Sequence, residues 1–265
     1  MIDNMRTWDG AITGYLQALR AAGRSQGTIR IRRHYLAIFR TCAPCPGRVS
    51  RAALEHVLAQ PAWAPETRRS ARSTARSFFA WCVDEGIMRE SPAGHLLAVR
   101  VPAALARPAG DQIIRDALRD ADPRLELMIR LAAYCGLRCC EIARVHGRDF
   151  DGQMLIVHGK GSKDRQVPVF DPVLRMALLR CHSWLFPGQH GHITPGHVCK
   201  LISRGLPSGV TAHMLRHRYA TTAWRGTHDL LAVSMLLGHA KPETTKRYIQ
   251  PDLEPMLAAA RAAQA

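Results

Sequence analysis

Long apolar runs are absent from this 265-residue chain. No stretch approaches the roughly 20 consecutive apolar residues that a membrane-spanning helix needs. The first residues also lack the basic and apolar blocks of a secretory signal. The sequence therefore predicts a soluble, cytoplasmic protein and no membrane partner.

Cysteine is present, but without the spacing of a metal site or a disulfide framework. Of the eight cysteines, Cys42 and Cys45 are spaced as half of a zinc or redox site, and no second pair with metal-ligand spacing follows. On a chain of this length the pattern favours reduced, mostly buried thiols. We expect neither a metal nor another cofactor.

Acidic residues are scarce relative to basic ones. The chain has 21 acidic and 37 basic residues and a formal net charge of +16. Residues 1–105 contain 15 basic and 7 acidic residues, and the remainder contains 22 and 14, so each half carries +8. A charge spread over both halves indicates a polyanionic partner, with nucleic acid favoured over a membrane surface.

The apolar pattern predicts two domains, 1–104 and 105–265, joined by a proline-rich stretch. Four short helices fit the first domain, with Ser50 and Thr67 as N-caps of the third and fourth. In the second domain, residues 113–118 and 125–134 have helical periodicity. Residues 154–158 and 166–170 are predicted to form two strands around a turn.

Several residues that can bind and attack a phosphate follow one another late in the chain. His213 and Arg216 are three residues apart, so a helix places them on one face, where both can reach the same anion. A Leu-Gly-His239 sequence and then Tyr248 follow. Each residue alone fits an ordinary solvated helix face, but the ordered set rarely arises by chance.

Together with the segment 134–142 around Arg138 and the hairpin 157–168 around Lys160, this set resembles the tyrosine recombinase, or phage integrase, family. The resemblance implies a mainly α-helical fold. Residues 1–104 would form a helical SAM-like core DNA-binding domain. Residues 105–265 would form a mixed α+β catalytic domain with a small antiparallel sheet and a C-terminal tail helix.

The resemblance also implies a catalytic set and its chemistry. Tyr248 would attack a DNA phosphate to give a 3′-phosphotyrosyl intermediate, without metal or ATP. Two arginines would stabilise the charge that develops on the nonbridging oxygens. His213 would act as the base, Lys160 or its neighbour Lys163 as the general acid, and His239 as a hydrogen-bond donor or as the residue that positions the tyrosine. The predicted catalytic residues are Arg138, Lys160, His213, Arg216, His239 and Tyr248.

Glu141 lies three residues after Arg138 and matches an acidic position of the family. One interpretation is that its carboxylate orients Arg138 or a histidine. The other is an ordinary glutamate on a helix surface. The sequence leaves both open.

The predicted partner is double-stranded DNA with paired core sites. The chain would be a monomer in solution and a homotetramer on two duplexes, passing through a Holliday junction, with DNA-bending or directionality factors as candidate partners. Two alternatives are a catalytically idle DNA-binding repressor and a phosphodiesterase that uses the histidines with water. Within the family, a phage integrase and a Xer-like resolvase both fit. Candidate DNA contacts are Arg30, Arg32, Arg33, Arg68, Arg69, Arg72, Arg76 and Lys163.

Overall fold

A computed structural model describes residues 6–102, 107–159, 164–189, 191–238, 257 and 260–263. The chain divides into two compact units, Met1–Ala103 and Ala104–Ala265. Each unit has its own hydrophobic core. Within the described residues, no helix is both long and apolar enough to cross a bilayer.

The described residues of the first unit form four α-helices and two short 3-10 turns. Ser50 begins the third helix as predicted, because its hydroxyl accepts a hydrogen bond from the backbone N–H of Ala53 at 3.1 Å. The prediction for Thr67 is wrong: the fourth helix begins two residues earlier, where Pro65 supplies the fixed φ angle that suits a first helical turn. The helices are α1 (Trp8–Ala21), α2 (Gln26–Phe39), α3 (Arg51–Leu58) and α4 (Pro65–Asp84).

Aromatic side chains form the centre of this first core. Trp8 stacks on Phe78, with ring centroids 5.8 Å apart, and Tyr15 meets the same ring edge-on at 5.4 Å. Phe78 and Phe79 are fully buried on α4. Helix α4 is therefore the central element against which the other helices of this unit pack.

The second unit is also mainly helical. Its helices are α5 (Asp111–Asp120), α6 (Pro123–Tyr134), α7 (Cys139–Ile142), α8 (Pro172–Leu179), α9 (Pro195–Arg204), α10 (Ala212–Thr227) and α11 (Leu230–Leu237). Leu257 and residues 260–262, in the predicted tail helix, are helical as well. Helix α6 is buried at Met128, Ile129 and Leu131, and helix α10 packs against it.

Two small antiparallel sheets also lie among the described residues of the second unit. Strand β1 (Met154–His158) pairs with β2 (Asp164–Pro168), and β3 (Pro187–Gly188) pairs with β4 (Gly191–His192). The second strand of the hairpin was predicted two residues too late, since Asp164 already pairs with His158. The predicted fold class, mainly α-helical with a small antiparallel sheet, is confirmed.

A close backbone approach at Gly147 gives a stability prediction. A β-carbon at this position would coincide with the backbone carbonyl of Cys181, which cannot move aside as a flexible side chain can. We expect Gly147→Ala to lower the free energy of unfolding by about 3 kcal/mol or more, measured by urea denaturation. Gly226→Ala is the control, because a β-carbon there meets no atom within 4 Å. Equal stability of both variants would refute the close packing.

Candidate active site

Three of the six predicted catalytic residues lie in the described part of the chain: Arg138, His213 and Arg216. The other three, Lys160, His239 and Tyr248, lie outside it, and so does Lys163. The described residues nevertheless include the strands on both sides of the lysine-bearing turn and the helix that ends just before His239.

Arg216 is an almost fully buried cation. Its side chain is 1% exposed, and it lies on the inner face of α10. One guanidinium nitrogen donates to the backbone carbonyl of Gly136, and another donates to that of Leu237 at 2.6 Å. Burying an unpaired charge is costly, so these contacts are what make this position tolerable. They also fix the direction in which the planar guanidinium points.

Arg138 lies next to this buried arginine, at the start of α7. Its Nη1 donates to Glu141 Oε1 at 2.8 Å and makes a long contact of 3.5 Å with the carbonyl of Leu237, which also accepts from Arg216. The side chain remains 39% exposed. The structure therefore brings the two predicted phosphate-binding arginines together, one buried and one open to solvent.

Glu141 connects the arginines of the site. Its carboxylate is 2% exposed and accepts hydrogen bonds from the Arg138 backbone N–H, from the Arg138 side chain and from Arg165, with Arg216 at 3.6 Å. Burial alone would raise the pKa of this carboxyl, but the hydrogen bonds and charge of Arg165, together with Arg138 and Arg216, lower the pKa to about 2. The interpretation of Glu141 as a helix-surface residue is wrong.

Arg165 is the member of this cluster that sequence reasoning missed. It lies on β2, and its Nη1 and Nη2 donate to the two carboxylate oxygens of Glu141 at 2.9 and 2.8 Å. Its Nε donates to the carbonyl of Leu236 at 2.7 Å. A signal was available in the sequence. Arg165 lies two residues before the buried Val167, and residues two apart on a strand share a face, so both lie on the inner face.

The C-terminal end of α11 is the surface on which these arginines meet. The last carbonyls of a helix have no partner within the helix and carry a partial negative charge. Here Leu236 accepts from Arg165, and Leu237 accepts from Arg216. Gly238 then ends the helix with φ of 62°, and a β-carbon there would lie 2.9 Å from Arg165 Cδ. This arrangement fixes the backbone immediately before His239.

His213 lies one turn before Arg216 on α10. Partial burial of its ring and the positive charges of Arg216 and Arg138 lower its pKa. The imidazole is therefore neutral at neutral pH and able to accept a proton. Its ring lies 4.2 Å from that of His217, centroid to centroid, and the pKa of His217 is lowered to about 4 by burial, by His213 and by Arg216.

The cluster as a whole is cationic. Three guanidinium groups surround one carboxylate, and the adjacent imidazole is neutral. An excess of positive charge held by rigid backbone contacts is suited to binding an anionic group such as a phosphate diester. Within the described ranges, no cluster of three potential metal ligands occurs.

Comparison with known proteins agrees with this geometry. Residues 111–254 match the phage integrase family, which covers the whole cluster. The chain belongs to the phage integrase family. It is a tyrosine-type site-specific recombinase. The chain is similar to the tyrosine recombinase XerC of Chromobacterium violaceum, with 30% identity covering 93% of this chain and 91% of the relative.

Solved structures of phage integrase family proteins share the fold. A lambda integrase fragment, crystallised as a dimer bound to a COC′ core site, superimposes with a TM-score of 0.75 at 18% identity, covering 92% of this chain and 95% of the other. A lambda integrase tetramer bound to a Holliday junction gives a TM-score of 0.72 at 19% identity, covering 91% and 79%.

Seven of the eight predicted DNA contacts of this phage integrase family member lie on α2 and α4, and the eighth, Lys163, lies outside the described residues. Arg30, Arg33 and Arg76 are exposed. Arg32 donates to Thr74 and Ser73, Arg68 to the carbonyl of Gln60, and Arg72 twice to the carbonyl of Leu96, at 3.1 and 2.6 Å. Arg69 pairs with Glu66 at 2.6 Å. DNA contact by all eight stays a prediction, and Arg30, Arg33 and Arg76 make no side-chain hydrogen bond to another described residue.

The cysteines differ in part from the expectation of mostly buried thiols. All eight are free, but only Cys82 and Cys135 are buried, whereas Cys140 and Cys199 are exposed. Burial raises the pKa of Cys135 to about 12, with a smaller contribution from Asp171. The pKa of Cys139, adjacent to Arg138, is also raised to about 12, first by burial and then by Cys199. These two thiols are therefore poor nucleophiles at neutral pH.

The depressed pKa of Glu141 predicts an acid-dependent loss of stability. A carboxyl whose pKa falls from 4.5 unfolded to about 2 folded contributes stability above the unfolded value and loses it as the pH falls toward the folded value. We expect the free energy of unfolding of wild type, measured by urea denaturation at neutral pH, to exceed that of Glu141→Gln by on the order of 3 kcal/mol. This difference should shrink from about pH 5 downward. A difference independent of pH would refute the ionic role of Glu141.

Proposed function

We propose that this chain cleaves and rejoins DNA through a 3′-phosphotyrosyl intermediate at Tyr248, acting on paired core sites as four protomers that pass through a Holliday junction. The observation that carries the proposal is the convergence of Arg138 and Arg216 on the carbonyl of Leu237, two residues before His239. This arrangement couples the phosphate-binding pair to the start of the segment that carries the nucleophile.

The arginines account for catalysis without a metal. As the tyrosine oxygen attacks, phosphorus becomes five-coordinate and negative charge grows on its nonbridging oxygens. Arg138 and Arg216 keep their charge at every working pH and present planar forks of donors to those oxygens. Because Arg216 is held by backbone carbonyls, little reorganisation is needed when the charge develops.

The proton transfers follow from the remaining residues. A phenol with a pKa of about 10 attacks well only if its proton is removed. A neutral His213 is able to accept that proton, and its lowered pKa keeps it neutral. The leaving 5′ oxygen takes a proton from Lys160, with Lys163 as the second candidate. His239 donates to the phosphate or positions Tyr248.

The first unit is proposed to hold the duplex. Arg30, Arg33 and Arg76 are exposed on two helices and are suited to phosphate contacts, which give affinity that falls with rising salt. The tetramer is proposed by likeness to the lambda integrase tetramer on a Holliday junction. The protein would be a monomer in solution and would assemble into the tetramer on DNA, with or without accessory bending or directionality factors. Either an integrase or a Xer-like role fits this chemistry.

The test is covalent capture of DNA. The protein is incubated, with a chelator present, with nicked duplex fragments that tile the DNA flanking its own gene, and the products are separated on a denaturing gel. We expect an adduct that survives denaturation, and digestion followed by mass spectrometry should locate the nucleotide on Tyr248. Salt-sensitive binding with no adduct on any fragment would instead indicate an idle DNA-binding protein.

A further inference from the structure

Arg165 occupies a position that neither phosphate binding nor proton transfer requires. It is an arginine on a strand, 8% exposed, and all three types of guanidinium nitrogen are engaged. Its partners lie on two other elements: Glu141 on α7 and Leu236 on α11. Burying so many donors on a two-stranded hairpin is costly unless the contacts serve the position of that hairpin.

We propose that Arg165 is a positioning residue that anchors the β1–β2 hairpin, and with it the lysine of its turn, to the arginine cluster. This inference rests on the proposed function, because the lysine is the general acid of that mechanism. Arg165 lies two residues after Lys163 and five after Lys160. Strand β2 begins directly after residue 163, so an anchor at Arg165 holds the strand that follows the lysine-bearing segment.

The anchor depends on the shape of the guanidinium as well as on its charge. Nη1 and Nη2 donate to the two oxygens of Glu141, while Nε donates to the backbone carbonyl of Leu236 on α11. A lysine ammonium is a single charged centre and cannot reproduce this fork. Gly238 leaves the space through which the Arg165 side chain passes. The site is thus built for arginine.

Loss of the anchor should affect the hairpin more than the phosphate-binding pair. Arg216 keeps its bonds to Gly136 and Leu237, and Arg138 keeps Glu141. In the described part of the hairpin, the other side-chain ion pairs are those of His158 with Asp149 and Asp164, which lie in the hairpin or just before it. They do not tie it to α7 or α11. Replacing Arg165 therefore removes the side-chain ion pair that ties the hairpin to the arginine cluster.

The test compares two leaving groups in Arg165→Lys. Single-turnover adduct formation is measured at saturating protein on the nicked fragment captured by wild type, and on the same fragment with sulfur replacing the bridging 5′ oxygen. A thiolate leaves without protonation, so this substrate bypasses the general acid. We expect a loss of about 100-fold with oxygen, recovery to within about threefold of wild type with sulfur, and DNA affinity changed by less than about threefold.

Three controls make the result specific. Arg130→Lys alters a comparable partly buried arginine, bound to Glu126 and Asp171 and sharing no partner with the cluster, and should leave cleavage unchanged. Lys160→Ala and Lys163→Ala are measured on both substrates. The variant whose cleavage rate recovers with sulfur identifies the lysine that acts as the general acid. An Arg165→Lys defect that persists with sulfur, or an unchanged rate with oxygen, would overturn the proposal.

A second measurement needs no DNA. Amide hydrogen exchange of strands 154–158 and 164–168 should be faster in Arg165→Lys than in wild type, and unaltered in Arg130→Lys. Wild-type exchange in these strands of Arg165→Lys would show that Arg165 is not the anchor. If wild type forms no adduct on any fragment, the proposed function fails, whereas the exchange result still decides the anchoring.

Discussion

Tyr248→Phe is expected to abolish covalent capture of DNA. Phenylalanine keeps the ring and lacks the oxygen proposed to attack phosphorus, so under this proposal no phosphotyrosyl bond can form. DNA affinity should change by less than about threefold, because the predicted phosphate and groove contacts come from other side chains. The measurement pairs a denaturing gel, which reports the adduct, with a native gel shift, which reports binding.

Tyr219 is a rival nucleophile in the described part of the chain, close enough to Arg165 and Arg216 for their charges to act on its hydroxyl. It lies on α10, and a β-carbon at Gly136 would clash with its ring, so the phenol packs closely against the backbone that holds Arg216. Burial is the main cause that raises its pKa to about 12, which makes the phenolate harder to form. Tyr219→Phe is thus the matched control and should still form the adduct. The reverse pattern, with Tyr248→Phe active and Tyr219→Phe inactive, would move the nucleophile to α10.

Much of the local structure could be predicted from the sequence, because its causes are local. Ser50 caps α3 through its own hydroxyl, and β1 begins and ends where the alternation of residues indicates. The spacing of His213 and Arg216 follows from helix geometry alone. That both face the site required the family resemblance, since nothing local distinguishes a buried arginine from a solvated one.

The remainder depends on contacts between distant parts of the chain. Glu141 is held by Arg165, 24 residues later, and Arg165 is held by Leu236, 71 residues later. Neither pairing has a local pattern, so the sequence left Glu141 undecided and Arg165 unnoticed. The same limit applies to Arg72, which was predicted to contact DNA as one of a group of arginines, whereas its guanidinium donates to the carbonyl of Leu96, 24 residues away.

Arg216→Lys is expected to reduce the single-turnover rate of adduct formation by about 100- to 1,000-fold, the range seen when one preorganised donor to a developing oxyanion is removed. Lysine preserves the charge next to Glu141, so the electrostatic balance of the cluster is largely kept. It cannot donate to Gly136 and Leu237 while also presenting a planar fork to phosphate. The loss should therefore appear in the rate at saturating protein and not in DNA affinity.

Arg225→Lys makes the same exchange on the same helix at an exposed position, and should retain the wild-type rate. Thermal denaturation of both variants separates chemistry from folding, because a buried change can also lower stability. If Arg216→Lys cleaves as fast as wild type while remaining folded, a positive charge at this position is sufficient for cleavage, and the fixed geometry of the guanidinium is not required. The convergence of Arg138 and Arg216 on Leu237 would then be a packing arrangement of α11, and the phosphate-binding role would have to be assigned to other cations.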